Sequence, residues 1–531
     1  MTGRPQPLTQ RDFSGALNAV TNPHLLGDKQ CARISNMMLG EHGSLTTRDG
    51  YTVSSIGPGG APVVHRTVLN KVNMSSVPLA VLLQSDGNNI LYRTDTSPWT
   101  SIGGFGVGIG FTIPHSVTMS DAQVFAAGYT TPWQFDGTTL AQITAGSGQT
   151  VPPGAKHLAF HLSSLWLWNT SGSTTTLDGP SSIRMSDANN FNSWPNAQQV
   201  FISKDDGQVG MGLATFTIAE TGISPTQTLI AFKNYSAYEI TGVLSSPTTF
   251  SVQKIKSDMG CIAPRTIQFV SGFGLIRLTH KGFALYNGVE DKIISEEIRP
   301  FIFGSNDIPP LGFTGGFVER SWAAQNHNPL LYIAACPTTD ANLSRVFLYD
   351  LVRRAWTICS FPFNLRTLTL FTGSLTEQPI TQAGTADTGV DPCRIVNIFS
   401  GARTDNGVVV PWSLRTRMFS VGSFMHPTYW RRLVIDGAAA STVNVTAAVT
   451  LASYPPITRT LEFPGTPVGV WGSSTWGSFA WGSESLTESR RSLDILTTAV
   501  SSNATISGSG HFVLRGLEWQ VRTKPLTRQI L

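Results

Sequence analysis

The segment VFLYDLVRRAW at residues 346–356 decides the fold. It joins a short run of strand-forming residues to an aromatic anchor, then to an acidic turn and a tryptophan. β-Branched and aromatic residues favour strands, and Asp followed by polar residues is typical of a turn. The same pattern recurs along the chain, with anchors at Tyr92, Phe135, Met185, Ile240, Tyr286, Tyr349 and Phe399.

Successive anchors are separated by 43 to 63 residues. One four-stranded blade of a β-propeller takes roughly 40–50 residues plus loop insertions. Such a sheet cannot bury both faces alone, whereas radial stacking buries them and leaves few open edges. The repeat therefore predicts an all-β fold with a β-propeller of six to eight blades, seven favoured, over residues 52–403. Since the pattern also fits ordinary antiparallel hairpins, another all-β arrangement is the alternative.

Charged residues make up 13% of the 531 residues, about half the usual share of roughly 25%. Fifty-one glycines and 31 prolines indicate strands and turns rather than helices. The net charge of +4 is small for a chain of this length and does not by itself indicate nucleic-acid binding. Scarce charge argues against a freely diffusing enzyme and favours a subunit that is covered by its neighbours.

The cysteines are odd in number, widely spaced and without a Cys-x-x-Cys pair, so neither a zinc site nor a disulfide framework is indicated. Residues Met1–Pro5 begin no apolar signal segment, and runs such as Val77–Leu83 are too short to cross a membrane. We therefore expect no membrane insertion, and buried free thiols at Cys31, Cys261, Cys336, Cys359 and Cys393.

Helical periodicity is scarce, and its best example is Cys31–Leu39, with a short companion near Ser295–Phe301. We expect residues 1–51 to form an N-terminal arm, a short helix and a strand that closes the propeller by joining a blade made of later sequence. Arginines among apolar residues and alternating strands in residues 404–531 predict a C-terminal β-rich, sandwich-like domain.

Three evenly spaced Trp-Gly pairs begin at Trp471, Trp476 and Trp481. An exposed loop of this kind would supply interaction anchors, because large aromatic side chains carry much of the energy of interfaces. The alternative is that the three rings cover one end of the sandwich. Their role stays open.

Two clusters superficially suggest a cofactor or an active site. Gly103–Gly110 is rich in glycine, but a dinucleotide site needs a following helix, and Phe111–Pro114 is β-like. Ser163 lies near His157 and His161, without the elbow motif of a hydrolase nucleophile or the helix of a two-histidine zinc site. Neither cluster has the setting that its chemistry requires.

Sugar-cleaving chemistry and nucleic-acid binding are also weakly supported. The stretch Ser186–Trp194 lacks the spacing and the glycine of a sialidase box. Paired carboxylates cannot be located from spacing alone; Asp205–Asp206 and Glu296–Glu297 are adjacent acidic pairs. Arginine doublets such as Arg353–Arg354 and Arg431–Arg432 form no basic stripe. We therefore predict no catalytic, cofactor-binding or metal-binding residues and expect that the chain is not an enzyme.

Two stretches carry a family resemblance. The first contains Asp12–Asn18, Asn22–Pro23, Ala32–Met37 and Gly43–Tyr51; the second contains Gly260–Arg265, Gly274–Leu275, Lys281–Gly288 and Ile294–Ile298. They resemble the F-x-G-G-L-N opening, the G-x-L-x-x-R-x-G-Y segment and a G-C-x-A-P blade of bacteriophage tail-nozzle or tail-stabilisation (tail accessory) proteins. The chain departs from that pattern at Ala16, where a second glycine is usual, and at Asp49, where proline is common.

The resemblance implies a structural protein of the phage tail, made in the cytoplasm of the host bacterium and located in the virion. Such proteins form a homo-oligomeric ring, usually a homohexamer, below the adaptor ring of the head–tail connector. The bore passes genomic DNA non-specifically during DNA ejection, and the sides or tip hold tail fibres or a tail needle. Two alternatives stay open: a host-recognition or fibre-docking propeller, and a virion glycosidase.

Overall fold

The computed structural model describes most of the chain in segments separated by gaps. The described residues are 6–56, 64–70, 79–85, 89–93, 100–104, 115–119, 122–126, 128, 130–136, 139–170, 178–204, 206–218, 226–242, 250–313, 318–327, 330–339, 344–371, 380–385, 394–421, 427–452, 454–465 and 486–523. The segment with Trp471, Trp476 and Trp481 lies outside them, as does Cys393. The other four cysteines are buried free thiols, as the sequence predicts.

Six short strands occupy the first 56 residues. They are β1 (Gln6–Gln10), β2 (Ala16–Leu17), β3 (Gln30–Ser35), β4 (Met37–Leu39), β5 (Leu45–Thr47) and β6 (Tyr51–Ile56).

The predicted helix at Cys31–Leu39 is therefore wrong, because these residues lie in β3 and β4. Between the two strands Asn36 has a φ of +56°, which interrupts any regular helix. β4 pairs with β5 and β3 pairs with a strand at 411–416. Long-range pairing has overridden the local helical pattern.

Seven antiparallel sheets follow, and within each of the first six the strands pair in chain order. The first three blades consist of β7 (Val64–Asn70), β8 (Leu79–Ser85), β9 (Asn89–Arg93) and β10 (Thr100–Gly104); β11 (His115–Met119), β12 (Ala122–Ala126), β13 (Trp133–Phe135) and β14 (Leu140–Gln142); and β15 (His157–His161), β16 (Ser164–Trp168), β17 (Ser182–Met185) and β18 (Gln199–Phe201).

The remaining four blades complete the propeller. They consist of β19 (Gly210–Ile218), β20 (Thr226–Lys233), β21 (Ala237–Thr241) and β22 (Ser251–Lys254); β23 (Gln268–Val270), β24 (Gly274–Thr279), β25 (Gly282–Tyr286) and β26 (Asp291–Ile293); β27 (Trp322–His327), β28 (Leu330–Pro337), β29 (Ser344–Asp350) and β30 (Ala355–Ser360); and β31 (Leu365–Phe371), β32 (Ile380–Thr385), β33 (Arg394–Ile398), β34 (Thr404–Asp405) and β35 (Val408–Val409) together with β6.

The first strand of each blade lies innermost, and these strands contact one another in sequence around a closed ring, from β7 through β31 and back to β7. The seventh blade takes its fourth strand from the N-terminal region, because β6 pairs antiparallel with β33. The predicted propeller, with seven blades favoured, is confirmed. Six predicted anchors lie in the third strand of their blade, and Phe399 follows β33 directly.

Apolar clusters fill the spaces between adjacent blades. The middle strands of a blade are covered on both faces and therefore read as continuous apolar runs. In the sixth blade seven of the eight residues of β28 are buried, and its sequence LLYIAACP has no polar alternation. If apolar and polar residues alternated along β28, the polar side chains would pack against the apolar face of an adjacent blade, which costs free energy.

Helical structure is confined to short turns. Among the described residues these are 3-10 turns at Glu41–Gly43, Pro264–Thr266, Glu296–Ile298 and 318–320, and one α-helical turn at Arg299–Phe303. The short helical companion predicted near Ser295–Phe301 is thus confirmed. No helix in the described part of the chain has the length and apolar character needed to span a bilayer.

Two further sheets form a β-sandwich outside the propeller. Its later strands are β36 (Pro411–Thr416), β37 (Phe419–Ser420), β38 (Thr428–Ala439), β39 (Val443–Leu451), β40 (Ile457–Phe463), β41 (Thr487–Ala499), β42 (Ser501–Ser509) and β43 (Phe512–Thr523). One sheet has the order β4-β5-β43-β38-β41 with β1 beside β43, and the other β2-β3-β36-β42-β39-β40 with β37 beside β42. Five strands from the first 47 residues therefore belong to the sandwich rather than to a separate arm.

The two sheets of the sandwich meet through aromatic side chains. Phe512 stacks on Trp412 of the opposite sheet, with ring centroids 5.1 Å apart, and meets Phe463 edge-on at 4.9 Å. Trp430 and Trp519 make a second edge-on pair at 5.4 Å. All five are almost fully buried, and burying one such side chain stabilises a fold by about 1.5–3 kcal/mol. The same apolar cluster continues into the fifth and sixth blades.

Candidate functional site

The first resemblance stretch lies where the sandwich joins the propeller, and Arg48 is at its centre. The guanidinium of Arg48 is buried and donates to both carboxylate oxygens of Asp405, at 2.9 and 2.7 Å. It also donates to the Ser360 carbonyl at 2.8 Å and to the Asn36 amide oxygen at 3.2 Å. The ring of Phe361 lies 4.0 Å below it. One side chain thus ties the N-terminal strands to the sixth and seventh blades.

The two residues that end this stretch position the closing strand β6. A Cβ on Gly50 would lie 1.9 Å from the Thr404 carbonyl oxygen, so only glycine allows this close approach of two backbones. Tyr51 is buried and its ring meets Phe363 edge-on at 4.8 Å. The glycine and the tyrosine therefore serve propeller closure.

The second stretch joins the fifth blade to the fourth. A Cβ on Gly260 would lie 1.9 Å from the Lys233 carbonyl oxygen. Arg277 is fully buried, donates to Asp291 at 2.6 and 3.0 Å and donates to the Gly260 carbonyl at 2.9 Å. Its guanidinium lies 4.5 Å above the ring of Phe232 in the fourth blade. Both stretches of the resemblance thus build joints between parts of the fold.

A cavity of about 420 Å³ lies on the propeller axis. Its wall comes from the innermost strands of the second, fifth, sixth and seventh blades and from the Pro264–Thr266 turn. The lining residues are His115, Ser116, Val117, Thr118, Gln123, Pro264, Arg265, Ile267, Gln268, Trp322, Ala323, Ala324, Gln325, Leu368, Thr369 and Leu370.

Arg265 is the charged member of this lining. Its guanidinium lies 5.2 Å above the ring of Trp322. Burial lowers its pKa to about 10, and the nearby carboxylate of Glu319 acts in the opposite direction. The side chain is therefore cationic at neutral pH but poorly hydrated.

His115 of the second blade lines the cavity, and His157 of the third blade lies next to it. The rings of His115 and His157 are 6.2 Å apart. The Leu158 N–H donates to Nδ1 of His115 at 3.1 Å, which places the proton of a neutral ring on Nε2. Burial, and then Arg265 and Lys156, lower the pKa of His157 to about 3. His157 therefore adds no charge at neutral pH.

The serine and histidine cluster makes structural contacts. Leu162 and Ser163 form the tight turn between β15 and β16, both with positive φ. His157 and His161 lie at opposite ends of β15, and the His161 carbonyl accepts from the Trp166 indole at 2.9 Å. Among the described residues no three His, Cys, Asp or Glu side chains are grouped to hold a metal ion.

The acidic candidates also serve structural contacts. Asp187 accepts from Ser193 at 2.5 Å and from Gln198 at 2.6 Å, which ties down the loop to Trp194. Asp206 accepts from the buried amine of Lys233 at 2.8 Å, and Asp205 lies outside the described residues. Of Gly103–Gly110 only the first two residues are described, at the end of β10.

Glu296 and Glu297 line a second cleft, of about 650 Å³, between the fifth and sixth blades. Burial raises the pKa of Glu297. The arginine doublets are largely paired, as with Arg353 and Asp350 at 2.8 Å. Arg265 was not predicted as a site residue from the sequence. It belongs to the second resemblance stretch, and only the structure shows that its turn, Pro264–Thr266, lines the axial cavity.

Comparison with known proteins gives a likeness of fold alone. No family model matches the chain, and no curated protein matches it. The solved structure of BBS1N in complex with ARL6DN is 9% identical, with a TM-score of 0.40, and the match covers 66% of this chain and 98% of that one. The WD40 β-propeller domain of Doa1 is also 9% identical, with a TM-score of 0.35 and coverages of 66% and 97%.

Glycoside hydrolases are also among the similar solved structures. An exo-β-1,3-galactanase from Phanerochaete chrysosporium is 9% identical, with a TM-score of 0.24, and the match covers 76% of this chain and 95% of that one. An arabinoxylan arabinofuranohydrolase from Bacillus subtilis is 9% identical, with a TM-score of 0.21 and coverages of 96% and 99%. These matches overturn the expectation that the chain is not an enzyme: its fold is compatible with enzymes, and fold alone assigns no activity.

Proposed function

We propose that this chain is a structural subunit of a bacteriophage tail, a nozzle or tail-tube component below the adaptor of the head–tail connector. In this proposal copies of the chain form a homohexameric ring in the virion. Its bore passes genomic DNA without sequence-specific contacts, and its outer surface docks tail fibres or a tail needle.

The observation that carries the proposal is the way the two resemblance stretches are used. Arg48 and Gly50 of the first stretch close the propeller and attach the sandwich, while Gly260 of the second packs the fifth blade on the fourth. A chance match would scatter over residues with unrelated surroundings. The stretches instead specify contacts that this arrangement of propeller and sandwich requires, which supports common architecture with the tail proteins.

Exposed apolar residues add support for an assembled state. Val289 and Val352 are 91% and 71% exposed, in the last turns of the fifth and sixth blades. They flank the cleft that Phe273, Tyr349 and Leu351 line. A cleft whose lining mixes apolar and charged side chains, with exposed valines on both sides, fits a contact between protein subunits.

Electron microscopy of purified phage particles, combined with mass spectrometry of their proteins, tests the proposal. The expected result is this chain in the tail, as a ring of several copies beneath the connector. Val289→Asp with Val352→Asp should reduce ring formation while the monomer stays folded, and Val408→Asp, at another exposed valine, serves as the control. A chain that is absent from particles and monomeric in solution refutes the proposal.

A further inference from the structure

We propose that the axial cavity binds a hydroxylated carboxylic acid of monosaccharide size, an acidic sugar, with Arg265 holding the carboxylate. This inference gives the chain a binding activity in addition to the structural role proposed above. It does not depend on the tail assignment, because it rests on the cavity alone.

The size and construction of the cavity fit a small ligand. Its volume of about 420 Å³ falls within the roughly 300–1,000 Å³ that is typical of ligand sites. Four blades supply the wall, mainly through their innermost strands. Groups carried on strands are positioned more accurately than groups on loops, so the site is formed before a ligand arrives.

The charge of the lining selects an anion. Arg265 is the cation among the described lining residues, and these residues include no Asp or Glu. Glu319 acts on Arg265 from outside the lining, and a guanidinium has five N–H donors, enough to serve that carboxylate and a second one. Trp322 lies under the guanidinium and holds its plane. A planar, poorly hydrated guanidinium matches a carboxylate by two parallel hydrogen bonds.

The rest of the lining selects hydroxyl groups and C–H surfaces. Neutral hydrogen-bonding side chains come from all four of these blades: Ser116, Thr118, Gln123, Gln268, Gln325 and Thr369. Amides and hydroxyls that both donate and accept are suited to sugar hydroxyls, which do the same. Ile267 and Leu368 supply apolar patches between them. Thr118 already donates to Gln123 at 2.7 Å, and Gln268 to the Ala323 carbonyl at 3.0 Å, but hydroxyls and amides have further donors and acceptors that a sugar hydroxyl can use. A simple aliphatic acid would make none of these additional hydrogen bonds.

Titration calorimetry of the full chain with D-glucuronate, D-glucose and acetate tests the inference. We expect glucuronate to bind at least about tenfold more tightly than either of the others, because glucose lacks the carboxylate that Arg265 would hold and acetate lacks the hydroxyl groups. Arg265→Gln should weaken glucuronate binding by about the same factor. Arg459→Gln, on an exposed strand of the sandwich, is the matched control and should bind as the unchanged chain does.

Arg265→Lys and Gln325→Ala keep the test decisive if Arg265→Gln does not fold, which circular dichroism shows. The lysine keeps the charge and loses the planar pair of donors, so glucuronate should bind with intermediate affinity. Gln325→Ala should weaken glucuronate more than acetate. Equal affinity for glucuronate and glucose, equal affinity for glucuronate and acetate, or no binding at millimolar concentrations overturns the inference.

Discussion

Substitution of Arg48 provides the sharpest test of how the propeller is closed. Arg48→Met keeps most of the aliphatic stem but removes the guanidinium that lies over Phe361. Asp405, whose side chain is 8% exposed, then keeps a buried charge without its two hydrogen bonds from Arg48. The carbonyls of Ser360 and Asp49 also lose a donor. Removing one partner of a buried ion pair destabilises a protein by about 3–5 kcal/mol.

The loss should be concentrated at the closing strand. β6 is covered on one side by β33 and on the other by the short strand that contains Asp405. Amide hydrogen exchange of Tyr51–Ile56, measured by mass spectrometry, should accelerate about 100- to 4,000-fold, since every 1.4 kcal/mol corresponds to a factor of ten. The blades far from the joint should keep their protection.

Two further variants make the measurement interpretable. Arg432→Met breaks an exposed pair with Asp494, whose side chains are 35% and 48% exposed, and should change stability by less than about 1 kcal/mol. Arg48→Met combined with Asp405→Leu removes both buried charges and should recover most of the loss. If Arg48→Met accelerates exchange of β6 no more than Arg432→Met does, the ion pair does not close the ring.

Three other outcomes are expected. Gly50→Ala should lower the free energy of unfolding, measured by denaturant titration, by about 1–3 kcal/mol because the core is overpacked. Gly146→Ala should not, since a Cβ there would lie 3.6 Å from its nearest neighbour. Phe512→Ala should destabilise the sandwich by about 3–5 kcal/mol in denaturant titrations. Burial lowers the pKa of His157 to about 3 and of His161 to about 4. In the unfolded chain the histidine pKa is near 6.5, so the unfolded state binds protons at a higher pH than the folded state does. The melting temperature should therefore fall as the pH drops from about 6.5 towards 4. His161→Gln should reduce this fall.

The repeat could be predicted because it is local. Each anchor, such as Tyr286 or Tyr349, ends a strand and precedes a turn within a few residues, and the spacing repeats once per blade. The closing strand was also predictable, since β6 follows a recognisable turn at Gly50. These features depend on neighbours in sequence, where periodicity and turn chemistry are informative.

The N-terminal strands and the axial cavity could not be predicted in the same way. Cys31–Leu39 reads as a helix until β36 pairs with β3, and that partner is almost 400 residues away in the chain. Arg265 lies beside Trp322 only once the fifth and sixth blades stand next to each other. Non-local pairing and blade geometry decide both cases, and neither leaves a periodic signal in one sequence.

Strand β1 has a consequence for how the chain is made. It pairs with β43 from Gln6↔Val521 to Gln10↔Leu517, so the sandwich cannot be completed until residues up to Val521 have left the ribosome. The nascent chain must meanwhile carry the unpaired edges of β1 to β5, and exposed edges invite wrong partners. A prematurely terminated product lacks the sandwich as well as the ring's attachment to it. Translation that stops before β43 therefore yields a chain with unpaired strand edges, whereas translation through β43 allows the sandwich to form.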